Sequence, residues 1–167
     1  MAQFNIQFDK IESLEALESQ IDTQSIIVCD DIQNTFMTIE YDDAHKIGIA
    51  YYDYGITPAY MYSQDFAYLY LGFGKKIICI DLNESTVIES DNLPSIFYEF
   101  IGNSKKNYVC VICELDLYCF HEDKILWKIG FKDVVSDYEI VDDSKISIEC
   151  DDGMEYLFSL KNGKLIE

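Results

Sequence analysis

DLYCFHEDKILWKI, residues 116–129, decides how the whole chain is read, because its pattern recurs twice at a fixed spacing. Ile78–Ile88 (ICIDLNESTVI), Leu117–Trp127 (LYCFHEDKILW) and Tyr156–Ile166 (YLFSLKNGKLI) align without a gap at a period of 39 residues. Leu82, His121 and Leu160 correspond, as do Val87, Leu126 and Leu165, then Ile88, Trp127 and Ile166. Between the apolar runs sits a polar triplet, Asn83-Glu84-Ser85, Glu122-Asp123-Lys124 or Lys161-Asn162-Gly163. Each copy therefore reads as strand, tight turn, strand.

A period near 40 that carries only strand signals points to stacked four-stranded units. The run Asp116 to Lys128, closed by Trp127, resembles the blade repeats of pyrroloquinoline-quinone-type and WD-repeat β-propellers. That resemblance implies an all-β fold of tandem four-stranded antiparallel blade-like repeats, a small or partial β-propeller, with one short N-terminal helix. It implies a fold and not an activity.

Outward from that repeat, the chain reads as one domain over residues 1–167, three regular repeats preceded by an irregular unit. Each regular repeat supplies an inner strand (the Tyr60 region, Ser95 to Phe100, Val134 to Val141), a second strand (Phe66 to Leu71, Tyr108 to Cys113, Lys145 to Cys150) and the hairpin. In the irregular unit, Phe4 to Phe8 alternates as a short strand that could add to a sheet elsewhere. Lys10 to Ile21 has helical spacing with Asp9 as N-cap. Strands are expected at Ser25 to Cys29, Thr35 to Tyr41 and Lys46 to Tyr52. Three to four repeats leave open an open array or a ring completed by a second copy as a homodimer.

The charge is lopsided: 31 acids oppose 12 bases for a net charge of −19, and every base is Lys. Arginine grips phosphate bidentately, so its absence from an acidic chain argues against nucleic acid or anionic membrane as partner and for a basic protein. No basic flank leads into an apolar core at the N-terminus, which fits a cytoplasmic protein. Six cysteines, most inside apolar strand patterns, agree with a reducing compartment.

Little chemistry is on offer. Cys110-Val-Ile-Cys113, with Cys119 and His121 close behind, raises zinc, but residues three apart on a strand point to opposite faces, so no metal is expected. A redox role would need a helix N-terminus beside that motif. His121 stands where the sister repeats carry Leu, which suits a core or turn position. No nucleophile elbow, phosphate-cradling loop or zincin motif is present. The acid pairs fall at turns, where Asp is favoured for backbone reasons. An enzyme is not expected, nor a cofactor.

In a blade, the turns between second and third strands and the connections between repeats emerge on one rim. That rim collects Asp42, Asp43, Asp53, Glu89, Asp91, Glu114, Asp116, Asp133, Asp151 and Asp152, with Tyr54 as an aromatic anchor, against Lys46, Lys75, Lys128 and Lys132. It is the more negative face and the expected partner surface. Tyr60, Tyr62, Tyr68 and Tyr70 form strand faces read first as packing and second as a recognition surface. A small, acidic, single-domain chain of this kind resembles by class the immunity proteins that neutralise bacterial toxins. The resemblance implies that carboxylates cover the active site of a basic toxin domain, such as a nuclease. The other expectation is a propeller-like scaffold binding a protein or ligand at its rim.

Overall fold

The computed structural model describes residues 6–41, 44–103 and 107–166. They form two compact units, Met1–Thr57 and Pro58–Glu167.

Among the described residues of the first unit the strands are β1 (Gln7–Ile11), β2 (Ile26–Val28), β3 (Thr35–Glu40) and β4 (Lys46–Tyr51), with an α-helix, α1 (Leu14–Glu18), and a 3-10 turn at Thr23–Ser25. They make a sheet of order β1-β3-β4-β2 in which β2 runs parallel to β4. This is not a simple up-and-down blade. The helix is shorter than its spacing predicts, and its N-cap is Ser13, whose hydroxyl accepts from Ala16 N–H at 3.2 Å, rather than Asp9. Asp9, Lys10 and Ile11 are instead held in β1 opposite Thr38, Met37 and Phe36. Ladder pairing of five residues with β3 outweighs a stripe that a five-residue helix cannot complete. Leu17, fully buried, is the helix's anchor, and Gly48 makes room for it: a Cβ there would lie 3.2 Å from the Leu17 methyls. Of the expected strand Phe4 to Phe8, the first two residues lie outside the described residues. The remainder leads into β1, which pairs with β3 inside this unit rather than with a sheet elsewhere.

The second unit holds the repeats. Its first sheet is β5 (Ala59–Tyr62), β6 (Tyr68–Phe73), β7 (Lys76–Asp81) and β8 (Thr86–Asn92). The second sheet is β9 (Phe97–Asn103), β10 (Tyr108–Cys113), β11 (Asp116–His121) and β12 (Lys124–Gly130). β13 (Val135–Val141), β14 (Lys145–Cys150) and β15 (Glu155–Ser159) make the third. All are antiparallel meanders in sequence order. The 39-residue period survives at atomic detail: Asp81 faces Thr86, Phe120 faces Ile125, and Ser159 N–H donates to Lys164 O at 2.9 Å. A bridge between Phe158 and Leu165 continues that last pairing. The residues after the third hairpin thus begin the fourth strand of the third sheet.

β10 and β11 explain why the sheets stack. Val109, Val111, Cys113, Tyr118 and Phe120 pack with Tyr70, Ile77, Cys79 and Phe97 on one side of the second sheet. Cys110, Ile112, Leu117 and Cys119 pack with Ile146, Ile148, Phe158 and Leu160 on the other. Alternation along one strand therefore serves two cores. The hairpin ends are also tied. Tyr70 Oη donates to Glu122 O at 2.5 Å, and Trp127 Nε1 donates to Leu160 O at 2.8 Å.

Close approach is demanded at Gly72, where an added Cβ would sit 2.3 to 2.6 Å from three atoms of the buried Phe97 ring. A packed aromatic ring cannot swing aside. Gly72→Ala is expected to cost about 1–3 kcal/mol through overpacking, measured as a lower urea midpoint with unchanged slope.

An acidic rim as candidate interaction surface

One end of the three stacked sheets is built from the β6–β7, β10–β11 and β14–β15 turns together with the connections Leu93–Ile96 and Phe131–Val134. Backbone bonds lace these loops from sheet to sheet. Phe97 N–H donates to Gly74 O at 2.9 Å, Glu114 N–H to Ile96 O at 2.8 Å, Val135 N–H to Glu114 O at 2.8 Å and Asp151 N–H to Val134 O at 2.8 Å. Such loops hold their side chains in place, because moving one breaks a neighbour's hydrogen bond.

Ser95 is the central tie. Its side chain, 4% exposed, donates from Oγ to Asp116 Oδ2 at 2.5 Å and accepts from Leu115 N–H at 3.0 Å. One hydroxyl thereby fixes an inter-repeat connection to the next β10–β11 turn and aims a carboxylate along the rim. Asp133 caps Val134 N–H at 2.8 Å, and Asp152 caps Met154 N–H at 3.0 Å. Asp151 and Asp152 are exposed, as are Gly153 and Met154 beside them.

The clustering shows in neighbouring groups that titrate. Tyr98 is raised above the ordinary tyrosine range first by burial and then by Glu114, Asp151 and Cys113. Burial likewise leads for Tyr118, followed by Asp116, Cys113 and Asp91. The Cys150 thiol is pushed up by burial, then by Asp152, Asp133 and Asp151. Asp91, Glu114, Asp116, Asp133, Asp151 and Asp152 thus share one rim of the second unit. Its positive members include Lys76, which is 9% exposed and donates from Nζ to Asn92 Oδ1 at 2.9 Å.

Asp53 and Tyr54 belong to the first unit, where Asp53 accepts from Gly55 N–H at 2.7 Å and Tyr54 lies 5.0 Å from Tyr52 between ring centres. Asp42 and Asp43 lie outside the described residues. Ser95 and Lys76 escape a reading that looks for charge alone. Only the position of Ser95 directly after Pro94, in a connection between repeats, offers a signal.

Cys110 and Cys113 face opposite cores. Among the described residues no three His, Cys, Asp or Glu groups are arranged to hold a metal. All six cysteines are buried, and none is in a disulfide. His121 ends β11 with its ring 5.2 Å from Tyr108. No helix among the described residues is long and apolar enough to cross a membrane.

Repeating antiparallel meanders stacked face to face, with loops laced along a rim, define a β-propeller-like scaffold. No family model and no curated protein matches the chain. Among solved structures, the β-propeller domain of Cps50 (Swd1) from Myceliophteria thermophila is similar at a TM-score of 0.51 and 11% identity, over 67% of this chain and 38% of that one. Dihydro-heme d1 dehydrogenase NirN, in complex with DHE, gives 0.49 and 12% over 79% and 32%. Kluyveromyces lactis Hsv2 gives 0.41 and 16% over 65% and 34%. The chain spans about a third of the length of these three chains. At these identities the likeness is one of fold.

Two outcomes are expected of this rim. Ser95→Ala strands Leu115 N–H and loosens Asp116, costing about 1–3 kcal/mol in urea unfolding. Because the folded pKa of Tyr98 is raised, its contribution to stability is complete below the unfolded tyrosine value of about 10 and is lost as pH rises through the folded value. Glu114→Gln combined with Asp151→Asn should lower the Tyr98 midpoint in an absorbance titration above that pH.

Proposed function

We propose that the protein is a non-catalytic, blade-stacked scaffold that captures a basic protein on its acidic rim. The partner in this reading is a bacterial toxin domain, a nuclease in the first instance, and the chain acts as its immunity protein in the cytoplasm. The observation that carries the proposal is the set of six carboxylates on, or at the strand ends beside, loops laced to one another from sheet to sheet. A nuclease must present Lys or Arg to phosphates, and a fixed row of carboxylates competes for the same cations. The field of a chain carrying −19 overall speeds that encounter.

The test is a pull-down from native host lysate, eluted by a salt gradient, followed by stopped-flow association with the captured partner. A single basic protein released at high salt is expected. Asp133→Asn, Asp151→Asn and Asp152→Asn together should slow association about 10–100-fold at low salt with little change in stability. Equal loss from Asp142→Asn with Asp143→Asn, which lie in the β13–β14 turn, would place the interface elsewhere. Recovery of no basic protein would overturn the reading.

A further inference from the structure

The turn between β5 and β6 carries a feature that the acidic rim does not use. Phe66 has a φ of 55°, a left-handed conformation that a bulky side chain adopts only under constraint, and it is 46% exposed. The constraint is visible. Ser63, 1% exposed, takes Phe66 N–H on its carbonyl at 3.0 Å and Tyr68 N–H on its hydroxyl at 2.9 Å, and donates from that hydroxyl to Asp65 at 2.6 Å. Asp65 also accepts from Ala67 N–H at 3.2 Å, and these bonds hold its carboxyl below the usual range. A further bond, Gln64 N–H to Asn107 Oδ1 at 2.8 Å, ties the turn to the second sheet. The ring is therefore left half-exposed on a turn whose backbone these hydrogen bonds pin.

Beside the ring opens a cleft of about 280 Å³ whose lining includes Met61, Tyr62, Phe66, Gly102, Tyr108 and Val109. Tyr62 and Phe66 meet at 5.5 Å between ring centres. Gly102 keeps the floor low: a Cβ there would come 2.8 Å from Met61 Sδ. On β6 at the same end, Tyr68 stands directly opposite Asp81 of β7, and Tyr70 Oη donates to Glu122 O at 2.5 Å, which brings the Glu122-Asp123 turn to this edge; the Tyr68 phenol is raised by burial and then by Asp123, Asp81, Glu122 and Asp65.

We infer that this cleft seats one large apolar side chain of a basic protein, with Lys or Arg neighbours of that side chain meeting the carboxylates around Tyr68. The volume suits a single Leu, Met or Phe, and a desolvated apolar anchor ringed by charge complementarity is how interface hot spots are built. The inference deepens the proposed function, since it rests on a basic partner, and it gives that partner a second contact away from the acidic rim.

Its test does not need the partner. The isotope-labelled full chain is titrated with acetyl-Lys-Phe-Lys-amide and, separately, with acetyl-Glu-Phe-Glu-amide, following amide shifts. Saturable shifts at Gln64, Gly102 and Asn107 are expected with the basic tripeptide, at least tenfold weaker with the acidic one. Phe66→Gly suits the left-handed φ, so the thermal midpoint should hold while affinity falls at least tenfold. Equal affinity for both peptides, shifts confined to Glu114 and Asp151, or binding untouched by Phe66→Gly would overturn the inference. Tripeptide binding without any basic partner in the lysate would sink the proposed function and leave the cleft's preference standing.

Discussion

The inner strands of the second sheet, β10 and β11, are buried on both faces, and the rest of that unit follows from this. Val109 to Cys113 are each no more than 2% exposed, so every residue of this run needs a neighbour above or below it. A sheet of that kind is unstable alone. It demands one sheet on each side, and a one-residue slip of β10 would merely exchange one core's side chains for the other's, leaving Val and Cys where Ile and Cys now fit. The third sheet ends the requirement. Its far face carries Asp137, Glu139, Ser147 and Glu149, so a further sheet would meet carboxylates rather than an apolar surface. Polar outer faces of this sort close linear stacks of repeats.

The repeat was legible because its hairpins are local. Strand-turn-strand at a fixed period needs no knowledge of distant contacts, and β10 and β14 fall on the predicted residues Tyr108 to Cys113 and Lys145 to Cys150. The first unit was less legible for the opposite reason. Its parallel pair, Ile26 to Val28 beside Gly48 to Ala50, joins residues far apart in sequence, and nothing in a short apolar run states its partner. The helical stripe over Lys10 to Ile21 misled because strand pairing claims Ile11, and Ile21 reaches the core from beyond the helix. The fully buried aromatic Tyr70 and half-exposed Phe66 look alike in sequence. Burial separates them, and periodicity does not.

At the rim, charge could be read from composition and topology, but position could not. Carboxylates fall in turns for backbone reasons, as the caps made by Asp133 and Asp152 show. What turns six such residues into one surface is the lacing between connections, centred on a serine. No count of charges reveals a hydroxyl that bonds one loop's carboxylate and another residue's amide at once. The left-handed turn at Phe66 was equally hidden, since a φ above zero at a bulky residue is imposed by Ser63 and Asp65 and not requested by the phenylalanine itself.

The fold tolerates its charge without neutralising it. The ion pairs Lys46 to Glu40 at 3.3 Å and Lys145 to Asp142 at 3.7 Å are solvent-exposed, and pairs of that kind contribute at most about 1 kcal/mol each. With 31 acids against 12 lysines, most carboxylates must be stabilised by water and backbone amides alone. Those on exposed turns, Asp151 and Asp152 among them, stay hydrated, so their charge puts no desolvation cost on the core. The residual repulsion is borne by the native state. A cationic partner that binds only the folded chain relieves that repulsion, and by mass action it also stabilises the fold that displays the rim. Any cation held at that rim would therefore stabilise the fold through the same carboxylates, an effect that an electrically balanced stack of the same sheets would lack.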